Sequence, residues 1–156
     1  MQILTNPQLI LTNLEAQDST DVITKLAALL HKQGYVHDTF TSAVLEREKV
    51  FATGLPTPEI HVAIPHADPE HVIKPGIAIA VLKNPVQFGE MGQLDAKIDI
   101  DIVFMLALHQ AENMVLLLQN LVTLFQSPGL LKNIIGSDPD TISNLFNKKL
   151  SVQLEE

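Results

Sequence analysis

Three short runs in the middle of the chain limit its fold more than any other feature: "IHVAIPH" ending at His66, "GIAIAVL" ending at Leu82, and "IDIVFMLAL" ending at Leu108. They are rich in Ile, Val and Ala and lack the polar alternation of a strand with one wet face, so they suit strands buried on both faces. A sheet hidden on both sides needs helices to cover it. Proline and glycine at Pro69, Pro75, Pro85 and Gly89 punctuate the runs.

Helical patterns stand on either side of these strands. After an extended opening around Leu9 to Leu14, "DSTDVITKLAALLHKQG" offers capping residues Asp18 to Thr20, apolar Val22, Ile23, Leu26, Leu29 and Leu30 at helical spacing, and Gly34 as a stop. "HDTFTSAVLEREKVFATG" repeats the plan, with Asp38 or Thr39 as cap and Gly54 past the end, and it carries Arg47 near the helix C-terminus. From Glu112 a long Leu-rich helix is expected before "SPG", then shorter helices near Gly129 to Ile135 and Pro139 to Lys149, with "SVQLEE" frayed. The fold class that follows is α/β: a single-domain sandwich over residues 1–156, with a small mixed, partly parallel β-sheet flanked by helices.

Composition removes several classes of function. The apolar runs fall far short of the roughly 20 residues of a membrane helix. The N-terminus, "MQILTNPQLILTNLEA", has no Lys or Arg ahead of its apolar residues and no small-residue cleavage site, so a cytoplasmic location is expected. With no cysteine, disulfides, thiolate nucleophiles, Cys-based zinc sites and iron–sulfur clusters are out. The formal net charge of −8, without a basic stripe, argues against nucleic acid and anionic membrane as partners. Nine of the ten basic residues are lysine, and Arg47 is the only arginine. It reads either as a solvated helix charge or as a planar clamp for carboxylate or phosphate.

"VAIPHADPE" places a titratable side chain where an apolar strand stops. Pro65 holds Ile64 extended and fixes the direction of the exit, so His66 is presented from a rigid edge. Asp68 followed by Pro69 suits the opening of a helical turn, whose N–H groups can receive an anion. Strand edges of this kind are where α/β proteins bind ligands. A neutral imidazole is a competent nucleophile near pH 7, and phosphoryl transfer onto it needs little beyond in-line positioning and a cation, a part open to Arg47. The other reading, a loop or core histidine, stands beside it.

The rivals are weaker. His61, His66 and His71 form a suggestive trio for metal, but residues five apart on a strand point to opposite faces, and no His-Glu-x-x-His string is present. There is no Gly-x-Ser-x-Gly elbow and no Gly-rich phosphate loop. Neither a metal nor a cofactor is expected.

"LEREKVFATG", then "HVAIPHAD", a "FGE" turn, an apolar strand and a long Leu-rich helix together resemble the IIA domains of the bacterial phosphoenolpyruvate-dependent sugar phosphotransferase system, in the fructose and mannitol superfamily. "VHDTF", "LEREKVFATGL", "AIPHA" and "FQSPGLLKNI" look most like the galactitol type. The resemblance covers nearly the whole chain. It implies a phosphohistidine relay: His66 accepts a phosphoryl group on Nε2 from the phosphocarrier HPr and passes it to a cysteine of a IIB partner, which serves a membrane IIC permease. It makes Arg47 the cation beside that histidine and Thr53 a hydroxyl that donates to phosphate. The alternative is a regulatory module of the nitrogen-related type, whose phosphorylation state controls another protein. One departure stands out: fructose and mannitol relatives carry a second active-site histidine where this chain has Met114, next to Asn113, and His109 is the nearby candidate to replace it.

Overall fold

The computed structural model describes residues 4–93, 95–108 and 111–155, with side chains described outside 111–114 and 151–155. The elements, in chain order, are β1 (Ile10–Leu14), α1 (Ser19–Lys32), α2 (Phe40–Val50), β2 (Gly54–Leu55), β3 (Val62–Ala63), β4 (Gly76–Gly89), β5 (Lys97–Ala107), α3 (Ala111–Phe125), α4 (Leu130–Ile134) and α5 (Pro139–Glu155). The strands make one five-stranded sheet in the order β1-β4-β5-β3-β2. β1 runs parallel to β4 and β3 parallel to β5, whereas the β4–β5 and β2–β3 pairs are antiparallel. The sheet is therefore mixed, as expected.

Strand alternation sorts the apolar residues into two cores. Ile77, Ile79, Ile102 and Phe104 face one side, where Leu121, Ile134, Ile142 and Phe146 of α3, α4 and α5 cover them. Phe104 packs there between Phe125 and Phe146, with ring centroids 4.8 and 5.4 Å away. Ala78, Ala80, Val103 and Met105 face the other side, against Ile23, Leu26, Phe40 and Val44 of α1 and α2. Both faces are dry, which is why the strand runs carry so few polar residues. Among the described residues no helix is long and apolar enough to cross a membrane.

Local rules account for most boundaries. Asp18 caps α1 by accepting from Asp21 N at 2.8 Å, and Gly34, at φ +84°, takes the left-handed turn after it. Thr39 stands at the start of α2 but makes no cap: its hydroxyl meets His71 Nδ1 at 2.8 Å. Other expectations need correction. β4 continues through Pro85 to Gly89; the proline lies in a register shift between Val81 and Val86, beyond the stretch that pairs with β1, so no neighbouring strand needs its missing N–H. β3 is only two residues long, and β2, whose segment had read as the stop after a helix, forms a short edge strand. α5 runs on through the segment expected to fray, as far as Glu155.

Candidate functional site

His66 follows the strand run, directly after Pro65. The carbonyl of Pro65 accepts from Leu106 N at 3.0 Å, which carries the pairing with β5 beyond β3 and sets His66 opposite Leu106. The imidazole is buried, with 7% exposure, and Nδ1 lies 2.8 Å from the carbonyl oxygen of Ile64. A carbonyl only accepts, so Nδ1 carries the hydrogen and Nε2 keeps its lone pair. Burial holds the His66 pKa below the ordinary imidazole value; the Ile64 carbonyl opposes this, the Arg47 charge reinforces it, and Asp68 opposes it again. The ring is thereby neutral at pH 7 with one free nitrogen.

Arg47 reaches the same place from the last turn of α2. Its guanidinium lies over the Phe51 ring at 5.1 Å, and Nη1 stands 3.7 Å from Asp68 Oδ1. Arg47 Nε is buried with no hydrogen-bond partner. Asp68 thus pairs across to Arg47 and makes no side-chain cap on the short helical turn of Pro69–His71 that follows it. The sequence had suggested such a cap.

Thr53 is buried in the loop between α2 and β2. Its N–H and its hydroxyl both donate to the carboxylate of Glu48, each at 2.9 Å, and its carbonyl accepts from Ile64 N at 3.3 Å. Its single hydroxyl hydrogen is therefore directed at Glu48. Glu48, which lines the same cleft, is the residue that sequence reasoning passed over. Burial pushes its carboxyl up to about 7, against the lowering effects of the two Thr53 bonds and the Arg47 and Lys97 charges. One sequence signal pointed to it: a glutamate in the last turn of a helix opposes the helix dipole and needs donors from the chain beyond.

The β4–β5 turn closes the site's other wall. A Cβ on Gly54 would stand 2.6 Å from the Gly89 carbonyl oxygen, and one on Gly89 would stand 2.7 Å from Ala52 Cβ. Only glycines let the turn lie this close to the Thr53 loop. Met91 N donates to the Gly54 carbonyl at 2.8 Å and secures it. Between these walls opens a cleft of about 890 Å³, lined among others by Arg47, Glu48, Thr53, His66, Lys97 and Leu118. Val50 and Phe51 stand exposed at its rim.

The structure brings His66, Arg47 and Thr53 to one cleft and leaves the histidine trio apart. His61 Nδ1 meets the Asp99 carbonyl at 3.1 Å, and His71 is engaged by Thr39. Among the described residues no cluster of His, Asp and Glu is placed to hold a metal ion. His109 lies outside the described residues, and Met114 belongs to α3 with its side chain outside them.

Residues 3–149 match the family model of the phosphoenolpyruvate-dependent sugar phosphotransferase system, EIIA 2. Over 131 residues the chain is 26% identical to the galactitol-specific EIIA component of Escherichia coli, covering 84% of this chain and 87% of that one. It is 33% identical over 111 residues to the transcriptional regulator ManR of Bacillus subtilis, which is 70% of this chain but 16% of the regulator's length. Among solved structures, the complex of enzyme IIAMTL and phosphorylated enzyme IIBMTL from Escherichia coli superposes with a TM-score of 0.71 at 21% identity, covering 93% of this chain and 95% of that one.

Proposed function

The chain belongs to the EIIA 2 family of the phosphoenolpyruvate-dependent sugar phosphotransferase system, and from that premise we propose that it is a phosphoryl carrier with His66 as the acceptor. The observation that carries the proposal is the hydrogen bond from Nδ1 to Ile64, which leaves Nε2 as the free nucleophile of a neutral ring beside a cleft. The Nε2 lone pair forms the new bond to phosphorus as the donor's bond to phosphorus breaks, its electron pair leaving with the donor. Nδ1 keeps its proton on the Ile64 carbonyl, so the ring gains the positive charge that faces the anionic phosphoryl group. Arg47 neutralises the equatorial oxygens, where most of the transition-state charge resides. Thr53 is the hydroxyl nearest in role to a phosphate donor, although in this structure its hydrogen serves Glu48.

The donor in this reading is phospho-HPr and the acceptor is a cysteine of a IIB partner, which passes the group onward to the sugar transported by a IIC permease. The galactitol-specific relative supports galactitol or a related polyol as the sugar. The solved complex of a IIA with a phosphorylated IIB supports IIB as the partner in this reading. This chain has no cysteine, so the next nucleophile belongs to another domain. The work is that of a cytoplasmic protein.

Incubation with phosphoenolpyruvate, Enzyme I and HPr, followed by mapping of acid-labile phosphate, tests the proposal. Label on His66, and none on a folded His66→Ala variant, is the expected result. Retained label on that variant would sink it.

A second reading is favoured by one observation, the 33% identity to a transcriptional regulator. In it the same phosphohistidine forms but controls a partner protein, with no passage to a sugar. Label that reaches His66 and does not move on to a matching IIB would support this reading over transport.

A further inference from the structure

Glu48 has no task in the carrier reading and stands in an unfavourable place for a carboxylate. It lies in the last turn of α2, where the helix carbonyls disfavour negative charge, and it lines the cleft that is to receive an anion. Its partner is the hydroxyl of Thr53, which lines the same cleft. While Glu48 is ionised, it accepts the Thr53 hydroxyl hydrogen, and Oγ1 then offers the cleft lone pairs only. A phosphoryl oxygen needs the opposite, a donor.

The geometry allows the bond to reverse without moving a heavy atom. Protonated on Oε1, Glu48 donates to Thr53 Oγ1 across the same 2.9 Å, and the hydroxyl hydrogen is released toward the cleft. Oε2 continues to accept from Thr53 N, so the loop stays in place. The loop is in turn bonded to the histidine segment: the Thr53 carbonyl accepts from Ile64 N, and the Ile64 carbonyl accepts from His66 Nδ1. The hydroxyl and the imidazole are thus held in one frame.

We propose that Glu48 and Thr53 form a proton-linked donor for the group carried on His66: phosphorylation is accompanied by uptake of a proton from solvent at Glu48, and the Thr53 hydroxyl turns from the carboxyl to a phosphoryl oxygen. This rests on His66 being the carrier. The proton returns to solvent when the phosphoryl group leaves, so the cycle closes with no other reactant. Glu48 is a positioning residue in this scheme, acting through Thr53.

The charges around Glu48 make the switch reachable. Arg47 on α2 and Lys97 at the start of β5 favour the carboxylate, and burial opposes it strongly enough to bring the carboxyl to about 7. Glu90 and Asp95 of the β4–β5 turn line the same cleft, His66 is neutral, and Asp68 engages Arg47. A phosphoryl group adds negative charge to this balance and draws on the Arg47 charge, both of which favour the protonated acid.

The test is a carboxyl-carbon NMR titration of the full chain labelled in glutamate, with and without phosphorylation by phosphoenolpyruvate, Enzyme I and HPr. The Glu48 midpoint is expected to rise by about one pH unit or more on phosphorylation. In a pH-stat at about pH 7.5, wild type should take up about half a proton or more that Glu48→Gln does not, HPr's own contribution cancelling between the two. Glu48→Gln should still accept the group, since its amide donates to Oγ1 as the protonated acid does, and its acceptance should vary less between pH 6 and 8. Phosphorylated wild type with an unmoved Glu48 midpoint, or proton uptake equal to that of Glu48→Gln, overturns this proposal and leaves the carrier reading standing. Wild type that accepts no label overturns the carrier reading itself. Should Glu48→Gln fail to fold, the wild-type midpoints decide alone.

Discussion

The imidazole of His66 and the carbonyl of Ile64 are joined at 2.8 Å across the proline between them. The bond is as short as charge-assisted hydrogen bonds run, and it fixes both the ring and its tautomer. With burial lowering its pKa, His66 should titrate below 6.5 in the folded chain. A nitrogen-detected NMR titration should find Nδ1 protonated and Nε2 bare at pH 7. A midpoint at or above 6.5 would contradict this.

Arg47 should matter to transfer more than to stability. Its contact with Asp68 is 3.7 Å long and half open to solvent, worth under about 1 kcal/mol. Its proposed contact with the phosphoryl oxygens resembles an oxyanion donor, whose loss costs about 10²–10³ in rate. Arg47→Lys keeps the charge and loses the planar fork, so a slowing of about tenfold to a hundredfold is expected in single-turnover transfer from phospho-HPr. Urea midpoints should hardly move. Transfer at the wild-type rate would remove Arg47 from the site.

Glu48 makes stability depend on pH. A carboxyl raised from 4.5 to about 7 binds its proton more tightly folded than unfolded. Its contribution is therefore fully present below about pH 4.5 and is lost as pH rises through about 7, amounting to about 3 kcal/mol. His66 works the other way: its depressed pKa adds stability above 6.5 that is lost as pH falls through the folded value. Urea denaturation of wild type and Glu48→Gln at pH 5 and 7.5 separates the two. The wild type should lose ground relative to the variant as pH rises, and parallel curves would count against a raised Glu48.

Gly54→Ala tests the close wall of the cleft. The added methyl would meet the Gly89 carbonyl oxygen at 2.6 Å and Ile98 Cγ2 at 2.7 Å, and backbone cannot yield as a flexible side chain does. A loss of about 1–3 kcal/mol in thermal or urea unfolding is expected. An unchanged midpoint would mean that the turn moves aside freely.

Phe146→Ala tests the core beneath α3, α4 and α5. The ring is wholly buried and stacks 5.4 Å from Phe104. Its removal should cost about 3–5 kcal/mol by the same measurement, with acceptance at His66 retained in whatever fraction stays folded.

The sheet and its covering helices were legible because two-sided burial leaves an Ile, Val and Ala signature that no surface element imitates. His66 and Arg47, which line one cleft, stood out as candidates because each is chemically conspicuous, one placed after a strand-ending proline and the other the chain's lone arginine. Glu48 was hidden because its place in the cleft rests on burial and on two donors five residues further on, in a loop whose path depends on Gly54 meeting Gly89. Asp68 misled for a related reason: capping preferences describe a residue's neighbours in sequence, and Asp68 is held by Arg47, a neighbour only in space. Pro85 marks a break in most strands, and only the register of β4 with β1 and β5 shows why this one tolerates it.

The parallel pairing of β3 with β5, continued by His66 opposite Leu106, joins segments about 40 residues apart in the chain. Such contacts close late in folding, because the loop entropy must be met before they contribute. On a ribosome adding roughly 5–20 residues per second, His66 is made some seconds before the strand that will support it. The seat of His66 is thus completed at a definite point in synthesis, once Leu106 has emerged and paired.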